Sequence, residues 1–484
     1  MRKIALGVAA ALAVSVTPPA AAEDLSAESL SSLSSVGSST LELLDEASSL
    51  SSVRELSSAP LAGDAGPRAG CLDATQRVAG SDGVRIRYTS TNEAGELVPV
   101  TGAFYKVRRA KGLVALAPGT RGLGDQCAPS AAHSMLSSVG REPTVNLNYE
   151  APMVQMLTDA GYSVVVTDYI GLGTDGLHTY LNRIDQGHAL IDAARATAKP
   201  NQKIAFWGYS QGGGAAAAAA EVVSDYAPEL NVVGTFAGAP PADPFAVLEQ
   251  GNPWLMAPVS GFAAASYAET YPEFDEALKQ YLTPGGKRWL DYLKTACIIE
   301  ASNAPIGDYA PFFTEGRTLA DIARDDERIR KYLDHNKLGV NPVTSPILVL
   351  TNADDDLVPE PQATQLAADY CALGSPVEYR RVVIPGSPTQ PLSSGSSKHS
   401  SVLTAKVPTS GHGAPLVLET GHVIEWLDAR MASTPMKQVC PADYPQYQVV
   451  EGLNAVEVAA VVVATLAGLG LLVAAAAPHL LPYL

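Results

Sequence analysis

Charge is scarce in this 484-residue chain, and positive charge is the scarcer sign: 17% of residues are charged, with 33 basic side chains against 50 acidic ones. A formal net charge of −17 and a pI near 4.9 work against any surface that would hold nucleic-acid phosphates, so no nucleic-acid partner is expected. Cysteine is sparse as well. Cys71, Cys127, Cys297, Cys371 and Cys440 stand far apart with no C-x-x-C pair, which excludes zinc-ribbon and thioredoxin-like sites. No metal motif such as H-E-x-x-H occurs, so no metal site is expected.

Two long apolar runs stand at the ends of the chain. Arg2 and Lys3, an apolar stretch over 4–16 and Ala20-Ala21-Ala22 follow the charged, apolar, A-x-A order of a cleavable signal peptide, expected over 1–22. Export makes the widely spaced cysteines readable as one or two disulfides and an odd thiol. Over 458–477 every residue except Thr465 is apolar, which is long enough for a helix to cross a bilayer. No Lys or Arg follows to fix its orientation. The expectation is membrane association through 458–477; a buried helix or a tail on the protein's own surface are the alternatives.

Residues 23–70 are rich in serine and leucine, with Leu30, Leu33, Leu41 and Leu44 near helical spacing. They suggest a weak helix or a flexible arm and carry no chemistry. From Cys71 the text changes. Residues 84–88, 97–105, 113–117, 163–168, 203–207, 232–237, 345–351 and 377–385 read as strands. Residues 153–160, 186–197 and 215–223 read as helices. Strands alternating with helices predict an α/β fold with a parallel sheet covered on both faces. The alternation stops over 243–341, an aromatic and mainly helical stretch containing Trp254, Tyr267, Tyr271, Tyr281, Trp289 and Tyr292. As a surface loop it would expose these rings, so an inserted cap is expected. The core then divides into 71–242 and 342–440, with a C-terminal tail over 441–484.

Gly208-Tyr209-Ser210-Gln211-Gly212 is a G-x-S-x-G pentapeptide, common enough by chance to mean little alone. Here an apolar strand pattern precedes it and a helix-forming run follows, which is the strand–turn–helix setting of a nucleophile elbow. Serine is a poor nucleophile at neutral pH and needs a base, with an acid to hold that base. In this setting the chain order is Ser, acid, His. Asp354, Asp355 and Asp356 follow the 345–351 strand; Asp355 is the candidate acid and Asp356 the runner-up. Four histidines come later. His479 lies in the apolar tail, His422 within a helical pattern, and His399 in a Ser/Gly-rich loop. His412, on a loop before the last helix, is the candidate base, with His399 the alternative. Oxyanion donors are expected from the N–H of Gln211 and from the loop Pro118-Gly119-Thr120-Arg121-Gly122. Within that loop the Thr120 N–H is the first choice, with its hydroxyl as an aid. Asp168 precedes Ser210 in the chain and reads as structural.

Further stretches reinforce these. They are Gly124-Asp125-Gln126-Cys127-Ala128-Pro129-Ser130, Val166-Thr167-Asp168-Tyr169-Ile170-Gly171-Leu172-Gly173 and His178-Thr179-Tyr180-Leu181. With Pro118-Gly119-Thr120, the elbow, Asp355-Asp356-Leu357-Val358-Pro359 and a histidine before Trp426-Leu427, they resemble the secretory lipase family, the fungal lipase A group with its actinobacterial relatives. The resemblance runs from about Cys71 to Met431. It implies an α/β-hydrolase fold with a mostly parallel central sheet, helices on both faces and an inserted helical cap. It implies cofactor-free hydrolysis of acylglycerols or other carboxylic esters. It favours Asp355, four positions before Pro359, and implies that Cys127 pairs with Cys297 and Cys371 with Cys440. The stretch 387–410 is longer than the family pattern, and the apolar tail is extra.

The expectation is therefore a secreted serine hydrolase acting on a lipid or other carboxylic ester. Ser210, His412 and Asp355 form the triad, Thr120 and Gln211 hold the oxyanion, and residues 458–477 anchor the protein to the cell envelope. A rival catalytic reading is an envelope acyltransferase, in which an alcohol replaces water. A non-catalytic surface protein on a hydrolase scaffold is the other rival; the three triad residue types in order argue against it.

Overall fold

Apolar runs as short as Leu113–Ala117 and Ser163–Thr167 are buried at every position, as strands must be when helices cover both faces of a sheet. The computed structural model describes residues 66, 68–77, 83–131, 136–139, 144–250, 253–384, 410–443 and 447–450. The expected signal segment 1–22, most of 23–70, His399, His479 and the apolar run 458–477 lie outside the described residues.

The first part of the chain forms β1 (Leu72–Arg77), β2 (Gly83–Thr91), β3 (Leu97–Tyr105), β4 (Leu113–Ala117), β5 (Leu136–Val139) and β6 (Thr144–Leu147). It continues through α1 (Ala151–Asp159), β7 (Ser163–Thr167), α2 (Arg183–Thr197), β8 (Lys203–Tyr209), α3 (Gln211–Tyr226) and β9 (Asn231–Gly238). A helical insertion follows: α4 (Pro244–Gln250), α5 (Pro253–Thr270), α6 (Pro272–Tyr281), α7 (Pro284–Leu293), α8 (Ile298–Asn303), α9 (Leu319–Asp325) and α10 (Glu327–His335). The sheet text then resumes with β10 (Ile347–Asn352), α11 (Glu360–Ala372), β11 (Val377–Val383), α12 (Ser410–Leu418), α13 (Thr420–Met431) and β12 (Gln448–Val449).

Ten strands form one sheet in the order β1-β2-β3-β7-β4-β8-β9-β10-β11-β12. The first three pairings are antiparallel and the rest, from β7–β4 onward, are parallel. Alternating side chains feed two cores. Leu113, Ala115, Ile204 and Phe206 meet α2 and α3 on one face, while Val114, Leu116, Ala205 and Trp207 meet α1 and α13 on the other. α2 and α3 approach closely because Gly187 lies over Ala218, where an added Cβ would already stand 3.2 Å from backbone. From β4 the chain passes to β7 on one side and then to β8 on the other, so a crevice opens beyond the carboxyl ends of β4 and β8.

The insertion has its own core around Phe262, Tyr267, Phe274, Leu278, Trp289, Leu293, Ile322 and Ile329. Tyr267, Tyr271, Tyr281, Trp289 and Tyr292 therefore pack rather than lie bare. Two disulfides form, Cys127–Cys297 between core and insertion and Cys371–Cys440, and Cys71 is the free thiol among the described residues.

Three expectations need correction. β1, β5 and β6 escape a reading based on apolar runs because LDATQR, LSSV and TVNL are short and largely polar. The core does not stop at residue 440: Gln448–Val449 pairs parallel to β11, a strand made of only two residues and so invisible to periodicity. His412 is not on a loop but in the first turn of α12, a helix that Pro415 and the glycines around the histidine hide from a propensity reading.

Candidate active site

The serine sits where β8 turns sharply into α3. Ser210 has φ 59° and ψ −127°, a conformation that costs on the order of 1–3 kcal/mol for a residue with a Cβ. The surroundings enforce it. The Ser210 N–H donates to the Gly238 carbonyl at the end of β9 (2.9 Å), and its own carbonyl accepts from Gly214 (3.1 Å). The flanking glycines are obligatory: a Cβ on Gly208 would lie 1.8 Å from the Gly212 oxygen, and one on Gly212 would lie 2.0 Å from the Ala117 oxygen at the end of β4. These contacts press the elbow against the loop that carries Thr120.

The loop after β10 and the first turn of α12 meet next to this elbow. Both Asp355 carboxylate oxygens lie near His412 Nδ1, at 2.9 and 3.1 Å, and the aspartate side chain is completely buried. Asp355 Oδ1 also accepts the backbone N–H groups of Leu357 and Val358. Asp356 has a separate task, accepting the His412 backbone N–H at 3.0 Å. Asn352 donates to the Gly411 carbonyl, and Gly411 packs so closely on the Asp354 oxygen that a Cβ there would be 2.1 Å away. Tyr209, directly before the serine, donates its hydroxyl to the His412 carbonyl at 2.7 Å and tilts its ring against the imidazole at 5.5 Å. Burial pushes the His412 pKa down; the Asp355 and Asp356 carboxylates outweigh it, and the net shift is upward from 6.5.

On the opposite side, the loop Pro118–Gly122 is held by groups invisible as a motif. Gly119 donates its N–H to Glu150 Oε1 (2.7 Å), Tyr149 donates to the Thr120 carbonyl (2.8 Å), and Tyr169 donates to the Pro118 carbonyl (2.7 Å). Arg121 closes a buried ion pair with Glu150 while the Tyr149 ring stacks on its guanidinium at 4.5 Å. Among the described residues no backbone carbonyl takes the N–H of Thr120 or of Gln211. The Gln211 side chain is pinned by Gln186 Oε1 (3.0 Å) and by Nε2 of His178 (3.1 Å). His178 gives its Nδ1–H to the Ile170 carbonyl, and burial pushes its pKa down to about 4, so it stays neutral and can accept from Gln211. In the sequence, Tyr149 and Glu150 carry no signal, and His178 belongs to a family stretch with no visible role. Asp168 is buried under Thr101 and Ser130, a structural position.

Structure thus brings Ser210, Gln211, Thr120, His412 and Asp355 to one end of the sheet, and His422 lies apart on α13. Among the described residues no cluster of side chains suits a metal ion. A family model described as secretory lipase matches residues 137–438. The chain belongs to the secretory lipase family. It is 29% identical over 236 residues to a probable inactive lipase of Mycobacterium tuberculosis, covering 48% of this chain and 52% of that one. Lipase A of Arthroderma benhamiae is 26% identical over 265 residues (53% and 55%). A secreted triacylglycerol lipase of Malassezia globosa is 26% identical over 264 residues (52% and 53%). This secretory lipase family member therefore spans about half the length of the curated relatives it matches. Among solved structures, Candida antarctica lipase A in its closed state superposes with a TM-score of 0.61 at 18% identity, covering 83% of this chain and 91% of that one. The rice cell wall degrading esterase LipA of Xanthomonas oryzae superposes with a TM-score of 0.55 at 17% identity, covering 76% and 100%. At these identities the likeness establishes the fold, an α/β-hydrolase with a mostly parallel sheet.

Proposed function

We propose that this protein is a secreted serine hydrolase that cleaves carboxylic esters of lipids through an acyl-enzyme. The observation that carries the reading is the strained serine at the head of α3, whose neighbour Tyr209 touches a histidine paired through Nδ1 with a fully buried aspartate. Ser210 Oγ bonds to the ester carbonyl carbon as its proton passes to His412 Nε2. Asp355 keeps the other ring nitrogen protonated and stabilises the cation that forms. The N–H groups of Thr120 and Gln211 receive the oxyanion. The ester C–O bond breaks, and the leaving alcohol takes the proton from His412. Water then gives a proton to the same nitrogen, its oxygen bonds to the acyl carbon, and Ser210 leaves with the proton restored.

The helical insertion reads as a cap that receives the acyl chain. Between it and the core, a small apolar hollow is lined by Leu181 from the core and by Pro244, Val247, Met256, Val259 and Ala263 from the insertion. Such a wall favours an alkyl chain by roughly 0.8 kcal/mol for each CH₂ buried. Secretion is supported by the residues at the amino end and by relatives named as secreted lipases. One relative is named a probable inactive lipase, which makes an inert scaffold the reading to be tested against.

The test is hydrolysis of p-nitrophenyl esters from short to long acyl chains by the mature protein, beside Ser210→Ala and His412→Ala. Activity that vanishes in both variants supports the reading, and the chain-length profile separates esterase from lipase. Absence of ester cleavage and of labelling by a fluorophosphonate would sink it.

A further inference from the structure

Thr120 has more to offer the oxyanion than its N–H. Its carbonyl is occupied by Tyr149, and the preceding N–H, that of Gly119, is spent on Glu150. What remains is the N–H and the hydroxyl. Thr120 Oγ1 lies 2.7 Å from the hydroxyl of Tyr180, and either atom is placed to donate. Burial decides which one does. Tyr180 is 1% exposed and its ring is fixed, edge-on to His178 at 5.9 Å and to Phe262 of α5 at 6.0 Å. A buried hydroxyl that keeps its proton to itself leaves a donor unsatisfied, at a cost of about 1–3 kcal/mol. Thr120 is only half-buried and borders the crevice, where a substrate or water can receive its proton. Burial also pushes the Tyr180 pKa up, which keeps the phenol protonated as a donor. The lower-energy arrangement has Tyr180 donating to Thr120, and Thr120 turning its own O–H outward.

We propose that the Thr120 hydroxyl is a third donor to the oxyanion and that Tyr180 is the positioning residue that aims it. This rests on the serine-hydrolase reading of the same site. Tyr180 acts through Thr120, its hydrogen-bond partner. It adds one fixed acceptor–donor relation, so the Thr120 proton needs no reorientation as negative charge grows on the substrate oxygen. Tyr180 also packs on the insertion, so the third donor is set only when the insertion is seated.

The experiment is a double-mutant cycle on Thr120→Val and Tyr180→Phe, with Thr120→Ser as the conservative control. Turnover of a p-nitrophenyl ester is measured per active site titrated, so that a poorly folded fraction drops out. Thr120→Val keeps the N–H and is expected to lower kcat by on the order of 10²-fold with little change in KM. Tyr180→Phe is expected to lower kcat about 10-fold, and the double variant to be no worse than Thr120→Val alone. Thr120→Ser is expected to restore most of the activity. The inference is overturned if Tyr180→Phe turns over at the wild-type rate, or if the two losses multiply. If the wild type cleaves no ester, or Ser210→Ala retains activity, the hydrolase reading fails and takes the third donor with it; ester cleavage that needs Ser210 but ignores Tyr180 removes the third donor alone.

Discussion

Asp355 and Asp356 are neighbours in the chain, yet each holds a different part of His412. Asp355 takes the ring, and Asp356 takes the backbone N–H. In the proposed mechanism His412 works as a base only when neutral, and its pKa lies above 6.5 because the carboxylates outweigh burial. Activity is therefore expected to rise with pH through a limb above that value. Asp355→Asn should move this limb to lower pH and cut kcat by on the order of 10⁴-fold, since the amide no longer enforces the tautomer. Asp356→Asn keeps an acceptor for the N–H and loses one raising charge. It should shift the limb down slightly and leave kcat within several-fold. A pH profile of kcat/KM for the three proteins checks both statements. The sequence separated Ser210 cleanly and ranked Asp355 above Asp356, a choice the family resemblance supported, but it could not assign their separate tasks, because both carboxylates lie within reach of the same residue.

Elements place these residues by contact rather than by propensity. The first turn of α3 carries Gly212 because the end of β4 lies directly against it, with the Ala117 oxygen where a Cβ would go. Both partners there are backbone, so neither can yield. Gly212→Ala should abolish ester cleavage and lower Tm, and circular dichroism with an activity assay would show whether the elbow alone is lost or the fold with it. The insertion is tied to the loop that carries Thr120 as firmly. Ile298 donates to the Arg121 carbonyl, Leu123 donates to the Ala296 carbonyl, and Cys127 bonds Cys297. Removing the disulfide with Cys127→Ser and Cys297→Ser is expected to cost roughly 2–5 kcal/mol, read from denaturant unfolding. The strands and helices of the parallel half were legible because apolar blocks and glycine stops repeat there. β12 was not, since its place is given by β11 and not by its own two residues.

At the scale of the whole molecule, two buried acids tie stability to pH. Burial raises both Asp185 and Asp192 to about 6 from an ordinary 3.8. An acid whose folded pKa is raised binds its proton more tightly in the folded state. Its stabilising contribution is complete below the ordinary value and is lost as pH rises through about 6. Asp185→Asn keeps an oxygen to accept the Glu93 N–H and cannot ionise. The variant should melt above the wild type at neutral pH and gain nothing in acid below the ordinary aspartate range, a contrast that thermal unfolding at the two pH values would reveal. The net charge of −17 says nothing about this, because the effect belongs to acids hidden from solvent.

The sequence alone was enough for the α/β class and for a candidate nucleophile with candidate triad types in order, since these depend on local pattern: an apolar block, a glycine-rich turn, a helix-forming run. It also marked the insertion by the break in that pattern. Tertiary structure alone decided what lies between residues far apart in the chain. It gave Asp355 and Asp356 separate tasks, put His412 in a helix, and surrounded the Thr120 loop with Tyr149, Glu150 and Tyr180. The reason is physical. Periodicity records which side of an element is buried, but hydrogen-bond partners and pKa shifts depend on distances of a few ångströms across elements, and these exist only once the sheet has brought the loops together.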